Sequence, residues 1–233
     1  MQKFWIRITL LIIISIPALW RLGNSAEFQT WSDIATIYIF SDRWRYDGDQ
    51  GTRGLLSQSD FTLLYFRPSV RYRINPWITA HGGIRFFQTI FDDDEDTFEI
   101  GPWQGLRIVP PLFGSYAISH YFRLEERMTW ETGEESDFDF TVRARYQLGA
   151  RSPNYDILLK NGIYLSGSIE AFSDIETPIF IDRMRYDAGV GTKLTDAWRV
   201  ELRYLFQHGR RSSSSSFGND EHILRLRFFY RFN

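Results

Sequence analysis

The sequence predicts an all-β fold, a transmembrane antiparallel up-and-down barrel of about ten strands. Three observations carry this prediction: apolar and polar residues alternate with a period of two, the alternating segments are long, and short turns alternate with longer polar loops. Because successive side chains of a strand point to opposite faces, each segment has one apolar and one charged face. Outer-membrane barrels are built this way, with aromatic residues at both ends of the lipid-facing side.

The segment from Tyr116 to Glu131 shows the pattern most completely. Its apolar face begins with Tyr116 and ends with Trp130, and Glu126 is the one charged residue on it. A water-soluble sheet can also alternate, but the length of this segment and its two terminal aromatic residues favour a lipid-facing strand.

Residues 1–26 are predicted to be a secretory signal peptide and not part of the fold. Lys3 and Arg7 give the N-terminal region a positive charge, the run from Thr9 to Leu19 is apolar, and small residues precede the predicted cleavage site after Ala26. The apolar run is short for a membrane-spanning helix. We therefore place cleavage after Ala26 and assign residues 27–233 to one barrel domain; an uncleaved N-terminal anchor is the alternative.

Ten strands are expected from the alternation and the punctuation along the chain. They are residues 28–46, 61–74, 77–90, 98–109, 116–131, 138–148, 157–172, 182–194, 198–208 and 222–232. A hairpin turn at Ser41–Arg43 would raise the number to eleven, which cannot close with antiparallel pairs throughout. We therefore expect ten strands, with twelve as the alternative, and the ambiguity is confined to residues 28–60.

The connections between these segments alternate in length. Asn75–Pro76, Pro110–Pro111, residues 151–154 and Thr195–Asp196 are short, whereas residues 47–60, 92–97, 132–137, 173–181 and 210–221 are mostly longer and more polar. Short periplasmic turns and longer extracellular loops are typical of bacterial outer-membrane barrels. The sequence thus predicts export to the outer membrane of a Gram-negative bacterium. The expected partners are membrane lipid, lipopolysaccharide and the outer-membrane assembly machinery.

Composition excludes several classes of function. There is no cysteine, so neither a disulfide framework nor a thiolate metal site is possible. Acidic residues (29) outnumber basic ones (27), and three of the basic residues lie in the predicted leader, which argues against nucleic-acid binding. Only Lys3, Lys160 and Lys193 are lysines. Arginine suits crowded ion-pair networks, so its dominance indicates that much of the charge is enclosed.

The charged faces of the strands are predicted to line the barrel interior, where basic side chains outnumber acidic ones. The candidate lumen network consists of Arg71, Arg73, Arg85, Arg107, Arg123, Glu125, Arg127, Arg143, Arg145, Glu170, Arg183, Arg185, Arg199, Glu201, Arg203, Arg225 and Arg227. Glu125 is expected to pair with neighbouring arginines such as Arg123, Arg127, Arg143 or Arg145. A soluble periplasmic sandwich or lipocalin-like barrel is the alternative fold, and it would require an apolar interior.

Three stretches resemble a known family. They are Gly101-Pro102-Trp103-Gln104-Gly105, the segment from His120 to Arg127, and Val142-Arg143-Ala144-Arg145-Tyr146. Together they resemble the domain-of-unknown-function-2490 family of bacterial outer-membrane β-barrel proteins. The resemblance implies the barrel fold, but because the family has no established activity it assigns no functional residues.

Two roles follow from the predicted interior. The arginines and carboxylates form either a structural plug of ion pairs or the wall of a narrow channel, whose positive lumen would favour anions. A barrel of ten strands is close in size to eight-stranded barrels, whose interiors are filled by their own side chains, so any channel through it would be narrow.

Two further roles are less well supported by the sequence. A lipid hydrolase needs a serine and a histidine on the same strand face, and none of the four histidines (His81, His120, His208, His222) has a serine two positions on. His81 and Ser69 could face the lumen on neighbouring strands, although a hydrogen-bonding role for His81 is simpler. We therefore do not expect an enzyme.

The other role is binding through the surface loops. The acidic residues at 92–96 and at 131–137 could gather cations that bridge lipopolysaccharide phosphates. Runs of like charge are usually solvated loops, so no metal or other cofactor is assigned.

Overall fold

The computed structural model describes residues 27–55, 61–92, 94–111, 116–133, 137–156, 159, 161–177, 180–210 and 217–232. The predicted signal peptide and the serines 212–216 lie outside these residues. The strands are β1 (Glu27–Ile39), β2 (Trp44–Leu55), β3 (Phe61–Arg67), β4 (Ser69–Arg73), β5 (Ile78–Phe91), β6 (Thr97–Ile108), β7 (Ala117–Glu131), β8 (Phe138–Arg151), β9 (Tyr164–Asp174), β10 (Arg183–Lys193), β11 (Trp198–Gly209) and β12 (Gly218–Arg231). Among the described residues no helix is long and apolar enough to cross a membrane.

The strands form one closed sheet, so the predicted β-barrel is confirmed. Neighbours in sequence pair antiparallel, and β1 pairs with both β2 and β12. β3 and β4 occupy a single place between β2 and β5, because Pro68 interrupts the strand and has no N–H to donate. The barrel therefore has eleven strands around its circumference, one of them divided in two.

The prediction of ten strands, antiparallel throughout, was wrong. β1 and β12 run parallel, with the register extending from Glu27 opposite Glu221 to Ile37 opposite Arg231. This parallel pair closes the odd number of strands that an all-antiparallel sheet cannot accommodate.

The error arose at residues 40–55, where the expected continuous strand and loop are a hairpin. Ser41 Oγ accepts the backbone N–H groups of Arg43 (3.3 Å) and Trp44 (3.1 Å), which turns the chain. Residues 47–55, predicted to be a loop, belong to β2 and pair with β1 over the full strand. The strand predicted at residues 157–172 was also placed too early: β9 begins at Tyr164, after Gly162, whose φ of 68° lies in the left-handed region.

The same turn recurs at one end of the barrel. Asn75 and Thr195, like Ser41, each accept two backbone N–H groups from residues two and three positions on. We call this end, where residues 40–43, 74–77 and 194–197 connect the strands, the short-turn end, and the opposite one the long-loop end. The connection between β8 and β9, residues 152–163, also lies at the short-turn end and is longer than the turn predicted at residues 151–154. Lys193 also donates to Asp196 at 2.6 Å, and this hydrogen bond and positive charge lower the pKa of the Asp196 carboxyl.

Candidate functional site: the barrel interior

Strand alternation turns the charged faces inward around a central cavity of about 830 Å³. Of the residues that the structure describes, sixteen arginines and six acidic residues line it. Among the described residues, Trp31, Leu205 and Ile223 form a small buried apolar cluster inside, and aromatic side chains such as Tyr164 and Phe172 are buried elsewhere in the wall. The interior of this barrel is therefore held mainly by charge and hydrogen bonds.

Glu125, on β7, is the centre of the largest network. Its side chain is 1% exposed and receives three guanidinium groups. The N–O distances are 2.6 Å to Arg85, 2.5 Å to Arg123 and 2.6 Å to Arg145. Two of these partners were expected from the sequence. Arg85 was not, because it lies two strands away, on β5. A buried carboxylate with three cationic donors satisfies its oxygens without solvent.

Two more carboxylates extend this network to both sides. Glu99 binds Arg85 at 2.9 Å and Arg127 at 2.5 Å. Glu170 binds Arg145 at 2.6 Å and lies 3.5 Å from Arg185. The result is a continuous belt of ion pairs linking β5 to β10, which we call the central belt. It consists of Arg85, Glu99, Arg123, Glu125, Arg127, Arg145, Glu170 and Arg185.

A second set of ion pairs crosses the parallel seam between β1 and β12. Asp33, 2% exposed, binds Arg225 at 2.6 Å and Arg227 at 2.9 Å. Arg227 also binds Asp49 on β2 at 2.6 Å, and Asp49 binds Arg67 on β3. The ion pairs therefore tie together β12, β1, β2 and β3, where no hairpin joins the first strand to the last.

A third set lies between β9 and β11. Arg203 binds Asp187 at 2.7 Å and Glu201 at 2.6 Å, and Glu201 accepts a hydrogen bond from Tyr164 at 2.5 Å. Glu201 is buried, so this arrangement fixes the inner wall at β9, β10 and β11, next to the end of the central belt.

Several interior arginines are not within 4.0 Å of any carboxylate of the described residues; among them are Arg53, Arg107, Arg143, Arg151 and Arg183. Three of them lie over aromatic rings instead: Arg53 over Trp31 at 4.0 Å, Arg107 over Tyr121 at 4.6 Å, and Arg151 over Tyr164 at 3.7 Å. Such cation–π contacts stabilise a guanidinium without cancelling its charge. The cavity therefore keeps an excess of positive charge.

The structure places most residues of the candidate lumen network against the cavity. These are Arg71, Arg85, Arg107, Arg123, Glu125, Arg127, Arg143, Arg145, Glu170, Arg183, Arg185, Arg199, Arg225 and Arg227. Glu201 and Arg203 lie in the wall, in the third set of ion pairs. Arg73 is exposed at the short-turn end, where it donates to the backbone oxygen of Asp42.

Sequence reasoning missed three interior carboxylates, namely Asp33, Asp47 and Asp49. Asp47 binds Arg45 at 2.9 Å and Arg71 at 2.8 Å. The available signal was the period of two in residues 45–53, where the charged side chains occupy alternate positions. This segment was interpreted as a loop because it is polar, but polar residues at every second position also suit a strand that faces a polar interior.

The close packing of the central belt requires a glycine at position 101. A Cβ added there would collide with the Arg85 side chain and come within 2.7 Å of the Glu126 backbone oxygen. Arg85 cannot move aside, because two carboxylates hold it. We expect Gly101→Ala to lower the free energy of unfolding by about 1–3 kcal/mol, measured by urea denaturation of the refolded protein.

The matched control is Gly54→Ala, in which the added Cβ meets its nearest neighbour at 3.5 Å, an ordinary contact. Equal stability of the two variants would show that position 101 does not limit the packing of the belt.

The histidines and serines do not assemble into a nucleophilic site among the described residues. Ser69 donates to the backbone oxygen of Asp47, and His81 is buried against Tyr121, with ring centroids 5.2 Å apart. His120 and His222 lie on the outer face and hydrogen-bond to Tyr146 (2.8 Å) and Tyr204 (2.5 Å). Within the same residues, no group of three or more acidic or histidine side chains is arranged to hold a metal ion; Asp93, Glu134 and Glu135 of the acidic loops lie outside them.

A comparison with known protein families identifies the family of this chain. The model of a family described as "Protein of unknown function (DUF2490)" matches residues 28–232, nearly the whole described barrel. No curated protein matches the chain.

Proposed function

The chain belongs to the DUF2490 family, which confirms the resemblance noted in its sequence, and we propose that it is a narrow, anion-preferring passage through the bacterial outer membrane. The observation that carries this proposal is the central cavity, in which arginines outnumber acidic residues by sixteen to six.

Membrane insertion is supported by a distribution of side chains that is the reverse of that in soluble proteins, with apolar residues outside and charged residues inside. The exterior carries exposed apolar residues at mid-strand, among them Leu64 (44%), Phe122 (46%), Leu202 (47%) and Leu224 (46%). Soluble proteins rarely expose so continuous an apolar surface, and they almost never fill their interior with arginine. A hydrocarbon environment accounts for both features.

Aromatic residues at the barrel ends support the same environment. At the short-turn end Trp44 contacts Tyr72 and Trp198 contacts Tyr230; at the long-loop end Trp130 contacts both Phe98 and Phe138. Amphipathic rings prefer the two membrane interfaces. With export by the signal peptide at residues 1–26, the short-turn end would face the periplasm and the long loops the cell exterior, in contact with lipopolysaccharide.

The passage is supported by the extent of the cavity. Its lining reaches from Thr89, Thr97 and Thr129 near the long-loop end to Ile37 and Arg45 near the short-turn end. A volume of about 830 Å³ has room for about 28 waters at roughly 30 Å³ each. Such a space suits water and small ions, not large solutes.

Anion preference follows from the unneutralised arginines. Rings of positive side chains attract anions and repel cations in a narrow, low-dielectric passage. Arg143 and Arg183, near the long-loop end, have no carboxylate of the described residues within 4.0 Å, so their charge is available to an entering anion.

A plugged, purely structural barrel is the second candidate. The central belt favours it, because ion pairs link β5 to β10 across the interior. Eleven strands also lie nearer to the filled eight-stranded barrels than to the open sixteen-stranded ones.

Conductance of the refolded mature protein in a planar bilayer, under a salt gradient, tests the proposal. We expect small discrete steps and a reversal potential that favours anions. The double variant Arg143→Gln with Arg183→Gln should move the reversal potential toward zero, whereas Lys193→Gln, at the exposed rim, should leave it unchanged. Silence from protein that still shows a heat-dependent gel shift would overturn the passage and support the plugged barrel.

A further inference from the structure

A second cavity, of about 310 Å³, lies at the short-turn end of the barrel, and we call it the vestibule. It shares five of its lining residues with the central cavity, so the two spaces adjoin. Basic side chains dominate its lining, and Asp196 is the one carboxylate among the described residues there. The basic residues are Arg45, Arg151, Lys193, Arg199 and Arg231.

Two of these basic side chains have a close counter-charge. Lys193 binds Asp196 at 2.6 Å, and Arg45 binds Asp47 at 2.9 Å. Both positive charges are therefore largely neutralised within the protein, and we do not count them toward a ligand site.

The other three lack such a partner, and we call them the vestibule arginines. Arg199 lies 3.7 Å from Glu201, but Arg203 already binds that carboxylate at 2.6 Å. Arg151 and Arg231 have no carboxylate of the described residues within 4.0 Å. The vestibule therefore keeps an excess of positive charge.

Aromatic rings bring the vestibule arginines together. The guanidinium carbons of Arg151 and Arg199 lie 3.7 Å and 5.9 Å from the centroid of the Tyr164 ring. The two groups are therefore within about 10 Å of each other, a separation at which salt does not fully screen like charges. Arg199 also lies over Phe229, its direct opposite on β12, at 3.8 Å. Arg231 is the diagonal neighbour of Arg199 on the same sheet face.

The vestibule arginines can be reached from water. Arg151 and Arg231 are exposed, and the Arg199 side chain is 29% exposed. All three face inward: Arg151 and Arg199 also line the central cavity, and Arg231 lies an even number of positions from Arg227, which lines it too. A dissolved anion therefore reaches them, whereas a lipid headgroup beside the outer wall does not.

We propose that the vestibule arginines bind a small dissolved anion that carries two or more negative charges, such as diphosphate or a tricarboxylate. Guanidinium groups recognise phosphate and carboxylate oxygens through paired N–H donors. The aromatic contacts position Arg151 and Arg199 without cancelling their charge. Because three positive charges lack a full counter-charge, a multivalent anion is bound more tightly than a monovalent one.

The role of this site rests on the proposed function, since it would gather multivalent anions where the passage opens at the short-turn end. Binding itself requires only access from that end, because the exposed Arg151 and Arg231 lie at the rim. The site can therefore be tested without an open passage.

Isothermal titration calorimetry on the folded mature protein in detergent, with dilute chloride as the background anion, tests the site. Diphosphate and citrate are titrated in separate arms, and acetate serves as the monovalent comparison. We expect saturable binding of at least one multivalent anion, at least tenfold tighter than that of acetate, and the tighter arm identifies phosphate or carboxylate as the preferred group. No saturable heat in either arm, or an affinity equal to that of acetate, overturns the site.

Arg151→Gln tests the residues, because Arg151 is exposed and has no carboxylate partner among the described residues. It is expected to weaken binding of the multivalent anion at least tenfold. Arg73→Gln is the matched control: Arg73 is also exposed at the short-turn end, but it donates to the backbone oxygen of Asp42 and does not line the vestibule. Equal affinity of Arg151→Gln and wild type, both showing the heat-dependent gel shift, would contradict the proposal.

The site and the passage can fail separately. If the passage is open, diphosphate added on the side of the short-turn end should reduce the current in bilayers, and Arg151→Gln should relieve this block. Binding of a multivalent anion by a barrel that is silent in bilayers would retain the site and reject the passage. Anion-selective steps without such binding would retain the passage and reject the site.

Discussion

Replacing Glu125 with glutamine is expected to lower the free energy of unfolding by about 3–5 kcal/mol. The carboxylate is 1% exposed and faces Arg85, Arg123 and Arg145, so its removal leaves three buried guanidinium groups with one counter-charge fewer. Uncompensated buried charge is among the costliest defects a single substitution can introduce. The effect is measured as the change in the urea midpoint of the refolded protein. Unfolding is monitored by the loss of its heat-dependent gel shift.

The adjacent residue provides the control. Glu126 lies on the outer face of β7, in register with Val142, and is not part of the central belt. Glu126→Gln should leave stability unchanged or raise it, because it removes a charge from an apolar surface. Similar midpoints for the two variants would mean that the belt contributes little to stability.

Asp33→Asn is expected to weaken the seam between β1 and β12 by a similar amount, about 3–5 kcal/mol. Asp33 accepts a hydrogen bond from Arg225 and forms an ion pair with Arg227, and its side chain is fully enclosed. Losing the charge leaves both guanidinium groups competing for a neutral amide. Backbone amides of β1 should then exchange hydrogen faster than those of β7, measured by mass spectrometry.

Asp47→Asn separates this local effect from a general loss of charge. Asp47 also binds two arginines, but it is more exposed, and its partners Arg45 and Arg71 lie on β2 and β4, so its ion pairs do not cross the seam. We expect a smaller loss of stability and no preferential exchange in β1. Faster exchange of β1 in both variants would argue that the seam is sensitive to any loss of interior charge.

The alternation of residues correctly predicts which side chains face inward, because strand geometry alone determines it. It cannot identify ion-pair partners, since these depend on register and on strands that are not neighbours. Glu125 illustrates this: the residue directly opposite it on β8 is Arg143, yet its partners are Arg145, two positions along β8, and Arg85, which reaches it past β6. No local feature of the sequence relates residue 85 to residue 125.

The predicted number of strands was wrong for a different reason. An even number of strands was expected because the first and last strands were assumed to pair antiparallel. Interpreting the polar residues 47–55 as a loop gave ten strands and satisfied this assumption. The carboxylates of Asp47 and Asp49 are instead the counter-charges of interior arginines, so the segment is polar because the barrel interior is polar. In such a barrel, polarity alone does not distinguish a strand from a loop.

The parallel pairing of β1 with β12 also separates the two chain termini of the barrel. The chain enters at the long-loop end with Glu27 and leaves at the short-turn end after Arg231, so the ends lie a full strand apart. Eleven paired residues at about 3.3 Å each span about 35 Å. Circular permutation with a short linker, which many domains tolerate because their termini are close, is therefore not available to this barrel. Labels placed on the two ends would report from opposite sides of it.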